Sequence, residues 1–555
     1  MNQSKSNHVF SLAPSVNVPR STFKRPFQLK TTIDVDYLYP IYCDEVLPGD
    51  TVKFGFSLFG RLSTPVCPIM DRLFLDTFFF FVPNRLIDKN WEKLQGARPF
   101  GDLDIPVNAP MLKTGASESS DADNWVSPMS LSDFIGIPPN VPNLEFSPYW
   151  HRAYNLIWNE WFRPEYICPS VKVAGVAEDG TVSDEKISDY VLLKRGKRLD
   201  YFTGALPFPQ VGETVSIGLC DSAPVIGNGM AVMLTNGTLD RCMKGSNSTY
   251  PFLTVTNQAG SYDVGSTVSG GWGFTSSNEF VGLTTDGTKS GMIADLSNAS
   301  ALTINELRYA FATQHYLEAL ARGGSRYIEI IRGIFNVVSP DARMQRPEYL
   351  GGSSDVLDIT TVAQTSSTDS TSPQGNLAAF GTVSSEGFWS KSFTEHGVII
   401  GLANVRADLA YQQGLPRMFS RKTRLDWYLP QFANIGEQAI LNKEIYAQGS
   451  EVKDGQTVVD DDVFGYQEAW AEYRYHPHMI TGKFRSTDPQ TLDYWHLAQK
   501  FESLPMLNDE FVLESVPIDR CLAVQDEPAI ILAGAFDSVW ARPMPLYSVP
   551  GLNRL

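Results

Sequence analysis

From Val52 onward, apolar residues take every second position. Val52, Phe54, Phe56 and Leu58 alternate with Lys53, Gly55, Ser57 and Phe59. A period of two marks a strand with one face in a core, and the turn Leu47-Pro48-Gly49-Asp50 provides its start. Residues 72–82, with Phe78-Phe79-Phe80-Phe81 inside them, are apolar on both faces. A membrane helix needs roughly twice that length, so the pattern predicts a strand covered on both sides. Further strands are predicted over 398–405, 511–516, 521–524 and 530–536. Helical periodicity appears at 149–162, which stops before Arg163-Pro164. It appears again from the capping box Thr303 to Glu306 through Arg322, closed by Gly323-Gly324. A third helix is predicted after Asp488-Pro489, through Leu492, Trp495, Leu497 and Phe501.

Two stretches break this pattern. In residues 211–300, Gly, Ser, Thr and Asn make up 43 of 90 positions, with short apolar runs such as Val225-Ile226 and Met230 to Leu234. Residues 353–385 are similarly rich in small polar side chains. Both are expected to be surface insertions in a β framework. The first 33 residues differ again: Lys5, Arg20, Lys24, Arg25 and Lys30 precede the first acid, Asp34, and Pro14, Pro19 and Pro26 rule out a long helix. An extended basic arm is expected there.

Composition places the chain among folded proteins. Of 555 residues, 43% are hydrophobic and 19% charged, and the net charge is −17. A uniformly basic nucleic-acid binder is excluded, though one basic face is not. Six cysteines without C-x-x-C spacing offer neither a zinc ribbon nor a disulfide framework. Met1 to Asn7 is polar, so no secretory leader is expected.

The chemistry-bearing motifs do not assemble an enzyme. Gly282 to Ser290 has one residue too many for a phosphate-binding loop, and no G-x-S-x-G or H-E-x-x-H occurs. His476-Pro477-His478 lacks further ligands, and Asp460-Asp461-Asp462 reads as a solvated loop. No catalytic, cofactor-binding or metal-binding residue is assigned, and no cofactor is expected. Two more basic clusters remain, Lys194-Arg195-Gly196-Lys197-Arg198 and Arg417, Arg421, Lys422 and Arg424 beside Met418-Phe419. They suit either phosphate contacts or ion pairs at subunit interfaces.

Several blocks in order resemble the major capsid proteins of gokushoviruses, small icosahedral single-stranded DNA phages of the Microviridae. Ile41 to Thr51 resembles their opening signature, and Trp150 to Asn159 the next block. Leu193 to Arg198 with Asp200 to Thr203, Ser339 to Arg343, Gln345 to Gly352 and Val405 to Asp408 follow. The last third is densest: Tyr411 to Gly414, Asn442 to Gly449, Phe464 to Glu468, Trp470 to Pro477 and Ala541 to Pro545. The two stretches set apart by composition carry no family motif.

The resemblance implies a mainly β fold, an eight-stranded antiparallel jelly-roll β-barrel with long insertions containing helices and short strands. The expected division is residues 1–49 as arm and lead-in, then 50–210 as the first part of the framework. Residues 211–300 are the insertion matching the family's threefold protrusion, and 301–555 the remaining framework with the second insertion. It further implies sixty copies in a T=1 shell around circular single-stranded DNA. The implied partners are this chain itself, the DNA genome, an internal scaffolding protein, a small basic DNA-packaging protein, a DNA pilot protein and a host surface receptor. The location is the virion, with assembly in the host cytoplasm. Expected contacts to DNA or the packaging protein are Arg20, Lys24, Arg25, Lys30, Lys197 and Arg198, and expected host contacts are Trp272 and Phe274.

Overall fold

A computed structural model describes residues 19–97, 107–176, 183–212, 304–368, 374–375, 377–455 and 457–547, with residue 215 and short strands between 225 and 294. Its framework strands are β1 (Ser21–Lys24), β2 (Phe27–Ile33), β3 (Tyr39–Val46), β4 (Thr51–Leu62), β5 (Leu73–Pro83), β6 (Glu348–Ala363), β7 (Leu377–Ser392), β8 (Gly397–Ala407) and β9 (Ile530–Arg542). They form one curled antiparallel sheet in the order β1/β2, β9, β4, β7, β6, β5, β8, β3. β1 and β2 are one edge strand broken at Arg25-Pro26, since both pair with β9. The result is an eight-position sheet of jelly-roll type.

The sheet curls because its inner faces are apolar and meet. Val52, Phe54, Phe56 and Leu58 all point inward as the alternation predicts, beside Leu532 and Phe536 of β9. Facing them are Leu73, Leu75 and Phe79 of β5 and Ile399 and Val405 of β8. Phe54 stacks on Trp389 with ring centroids 4.9 Å apart, and Phe79 lies 5.1 Å from Phe54. At the open seam β3 reaches across with side chains. The Tyr42 ring sits 4.7 Å from Phe54 and 5.4 Å from Phe536, while Arg25 grips Asp44 of β3 at 2.7 and 3.2 Å.

The two halves of the sheet are dressed differently. On the β5–β8–β3 side, the outer face is buried as well. Phe80, Val82, Val398, Ile400 and Leu402 pack on a second core, with Ile87, Leu131, Ala153, Tyr154 and Ile157 from the helices Asn84–Ile87, Leu131–Ile135 and Tyr149–Ile157. This is why β5 and β8 read as continuous apolar runs. The outer face of β2, β9, β4 and β7 has no such cover among the described residues, and along β4 and β9 buried residues mostly alternate with exposed ones.

β6 passes between the halves. It pairs with β5 through Leu357 and with β7 from Asp358 onward. A Cβ on Gly352 would lie 1.9 Å from the Thr77 carbonyl oxygen, so only glycine permits that approach. Gly49, at φ +91°, completes the turn into β4.

Several expectations need correction. Residues 353–363 and 377–385 are strand, not insertion, and the loop between β6 and β7 is confined to 364–376. Residues 511–516 begin in a helical turn, Asp509–Val512, whose Phe511 N–H is capped by Asn508 at 3.1 Å. Residues 521–524 contain only an isolated bridge from Leu522 to Pro65. No helix follows Pro489 beyond the short turn Asp493–Trp495, because neighbouring segments take the backbone N–H groups: Leu497 donates to Asp71 and Gln499 to the Ala410 carbonyl. The 149–162 helix is α-helical through Ile157 and widens into a π turn to Phe162. The arm's described part, from Pro19, is extended but belongs to the sheet as β1 and β2.

Residues Gly212–Tyr316 form a second compact unit. Within it Gly260–Asp263, Leu253–Asn257, Asp240–Gly245, Met233–Thr235 and Gly282–Leu283 make one small antiparallel sheet, and Val225–Gly227 pairs with Met292–Ala294. The helix opened by the capping-box segment runs over Ile304–Gly323. Among the described cysteines, Cys43, Cys67, Cys168 and Cys521 are free thiols.

Candidate functional site

The basic clusters are largely neutralised inside the chain. Arg20 donates to the Gly49 carbonyl at 2.6 Å and to Thr51 at 3.0 Å, tying the first strand to the β4 turn. Arg25 is committed to Asp44 and also lies over the Trp540 ring at 5.0 Å. Lys24 and Lys30 are exposed on the outer face of β1 and β2. Lys194 pairs with Asp36 at 3.8 Å and Arg195 with Asp76 at 2.5 Å. In the third cluster, Arg417 reaches Glu444 at 3.2 Å and Arg421 reaches Glu472 at 3.3 Å.

Lys197 overturns its expected role. It is only 7% exposed, and its Nζ donates to the Phe511 carbonyl at 2.7 Å. Burial pulls its ammonium down to about 8. A lysine facing inward has no surface with which to meet a polyanion. Its neighbour Arg198 remains exposed, 5.7 Å above the Phe74 ring. Trp272 and Phe274 lie outside the described residues.

Beneath Arg195 sits a buried charge network. Asp76 accepts from Arg406 Nε at 2.8 Å, from Arg195 and from Ser354. Burial pushes the Asp76 carboxyl up, but the hydrogen bonds from Ser354, Arg406 and Arg195 outweigh it and hold the group below its usual range. Glu514 and Asp36 behave oppositely. Burial raises Glu514 to about 7, with Asp36 adding to the rise, and raises Asp36 itself to about 6. This network was missed in the sequence. The signal was there, a lone Asp76 and a lone Arg406 inside otherwise apolar strands.

The segment 415–435 exposes several large apolar side chains of the framework. It is built from single turns, Arg417–Phe419, Arg424–Asp426 and Pro430–Phe432. Met418, Phe419, Leu425, Trp427, Tyr428 and Ile435 all stand exposed. Beside it opens a cleft of about 420 Å³ lined by Tyr201, Phe202, Tyr411, Tyr473 and Met479. Aromatic, methionine and arginine side chains are what the cores of protein–protein interfaces contain, and a contiguous patch of this kind is atypical of a free monomer.

Little here resembles reaction chemistry. His476 and His478 are exposed on the cleft rim. Asp460 accepts the N–H groups of Gln448 and Gly449, both at 2.8 Å, and Asp461 pairs with Lys443 at 2.6 Å.

Comparison with known proteins gives the arrangement its meaning. The family described as "Capsid protein (F protein)" matches residues 11–552. The chain belongs to the F-protein capsid family of the Microviridae. It is 43% identical to capsid protein VP1 of Bdellovibrio phage phiMH2K, over 98% of this chain and 97% of that protein. Capsid protein VP1 of Chlamydia phage 1 is 42% identical, over 98% of both chains. Capsid protein VP1 of Spiroplasma virus 4 is 36% identical, over 99% of this chain and 98% of its own. Members of the F-protein capsid family are structural proteins, not enzymes, and their working free energy is that of association. The chain is therefore a virion component that assembles with copies of itself.

Proposed function

We propose that sixty copies of this chain close a T=1 icosahedral shell around a circular single-stranded DNA genome. The observation that carries this reading is the end-to-end match to the capsid family over residues 11–552. The exposed apolar segment 415–435 supports it, since a subunit destined for a shell must carry surface that water alone does not satisfy. In this reading residues 1–33 face the interior, where Lys24 and Lys30, with Arg198, meet DNA or a small basic packaging protein. Arg20 and Arg25 shape the arm's base through their internal partners. Sixty chains at −17 carry roughly a thousand negative charges in all. The shell is then no bulk counterion for DNA, which leaves neutralisation to a basic packaging protein and small cations. An internal scaffolding protein and a DNA pilot protein complete the expected partners.

The test is a density gradient of infected-host lysate. A homogeneous fast-sedimenting band dominated by this chain and holding nuclease-protected single-stranded DNA is expected. A small, DNA-free species, with another protein filling the particle band, would overturn the reading.

Host attachment is assigned in this reading to the insertion 211–300, with Trp272 and Phe274, which lie outside the described residues, as the contacts. Their glycine-flanked position, Gly270-Gly271-Trp272-Gly273-Phe274, motivates the choice. Deletion of residues 270–275 should lower adsorption while particles still form, and unchanged adsorption would refute the assignment.

A further inference from the structure

Among the described residues, the outer face of the β2–β9–β4–β7 half-sheet is bare where its counterpart is covered, and its composition is unusual. Directly opposed residues in an antiparallel pair point the same way, so the register defines this face row by row. Lys30, Ala533, Phe59 and Ser384 form one row, and Thr32, Ile531, Arg61 and Thr382 the next. Toward the other end lie Ala535, Ser57 and Glu386, then Asp537, Gly55 and Phe388, then Lys24, Val539, Lys53 and Ser390.

Three phenylalanines stand on this floor, Phe380 at 38%, Phe59 at 54% and Phe388 at 68% exposure. They are spaced regularly. Phe380 and Phe388 lie four residues to either side of Ser384 on β7, and Phe59 faces Ser384 from β4. Each outer ring therefore stands roughly 14 Å from the middle one, from the strand rise and strand spacing. Between them the floor is Gly55, Ser57, Ala533 and Ala535, which leaves the ring faces open. Lys24, Lys30, Lys53 and Arg61 flank the rings, against Asp358, Glu386 and Asp537 on the same face. On a chain of −17, a face with four cations and three acids is locally basic.

We propose that this bare sheet face is a platform on which unpaired bases of the packaged DNA stack against Phe59, Phe388 and Phe380, with Lys24, Lys30, Lys53 and Arg61 holding the phosphates. Exposed aromatic rings on a β-sheet with cations beside them are the elements of sequence-tolerant single-strand binding. A second copy of the chain is the competing occupant. The nucleic acid is favoured because it sets a phosphate at every nucleotide against the four cations and a base against each exposed ring, whereas a second copy offers no such regular array of charges. The platform rests on the shell-around-DNA reading above and adds to it which face looks inward.

The experiment is 254 nm irradiation of purified intact particles, followed by mass spectrometry of nucleotide-bearing peptides. Adducts on peptides carrying Phe59 and Phe388 are expected. In particles assembled from the Phe59→Ala/Phe388→Ala chain, those peptides should yield about tenfold fewer adducts, consistent with loss of base stacking. Phe388→Tyr particles should keep them, since a tyrosine ring still stacks. Should the double variant not assemble, the wild-type adduct positions and the Phe388→Tyr particles decide the matter alone. DNA-filled particles whose adducts lie only elsewhere overturn the platform and leave the shell intact. So do lysine cross-links joining Lys30 or Lys53 to a neighbouring copy, which would identify the face as a contact between subunits. Particles without DNA overturn both readings.

Discussion

A carboxyl group near two arginines and a lysine ought to ionise readily, yet Glu514 is raised to about 7. Burial strips away its water, Asp36 adds a second acid, and Arg195, Lys197 and Arg406 do not make up the difference. A raised value in the fold means that the group's contribution to stability is fully present below about 4.5 and is lost as pH rises through about 7. Glu514→Gln removes that titration. The stability of the variant relative to the parent should therefore climb by up to about 3 kcal/mol between pH 4.5 and 7.5. Urea unfolding of both proteins across that range measures it, and parallel pH profiles would refute it. The comparison must be differential because His151 works the other way. Burial lowers its imidazole to about 4, so its contribution falls away as pH drops below about 6.5. Lys197 shows why such positions escape a reading of sequence. Within Lys194-Arg195-Gly196-Lys197-Arg198 it looks like one of several solvated charges, and only the Phe511 carbonyl, more than three hundred residues away, turns it inward.

At the level of elements, the close approach of β6 to β5 predicts a sharp response. Gly352→Ala would force the Thr77 carbonyl aside and should cost about 2–3 kcal/mol, read as a lowered urea midpoint. Unchanged stability would mean the strand pair has slack that its register does not suggest. The strands that were legible in the sequence are those whose faces differ. In β4 the alternation and its consequence coincide residue for residue, and in β5 the apolar run, interrupted only by Asp76-Thr77, announces cover on both sides. β6 and β7 were not legible because Gly351-Gly352-Ser353-Ser354 and Ser384-Ser385-Glu386-Gly387 carry little hydrophobic signal. They are small because Thr77 crowds Gly352 and the Phe56 ring crowds Gly387. The helix expected after Pro489 failed for a related reason. Its local signals were sound, but Asp71 and Ala410 claimed its N–H groups. The surfaces were less legible than the strands, since only register shows that Lys30 and Phe59 share a face.

For the whole molecule, assembly should depend on side chains that the isolated subunit does not need. Phe419→Asp with Trp427→Asp changes residues exposed in the chain, so subunit unfolding should move by less than about 1 kcal/mol. Particle yield on a gradient should fall at least about tenfold, as expected when aromatic anchors are lost from an interface. Full yield would place the shell contacts elsewhere. The order of strands has a consequence for synthesis. β9, among the last parts of the chain to be made, lies between β1/β2 and β4, among the first. The ribosome must deliver almost the entire polypeptide before the earliest strands find their neighbour, and long-range pairing of this kind is slow to form. A chain that terminates early leaves β1 and β2 without the strand they pair with and β4 without its neighbour. It lacks Ile531, Ala533, Ala535 and Asp537 of the bare face along with the inner residues of that strand. The topology thus inspects length: an incomplete translation product lacks the strand that joins the two ends of its own sequence.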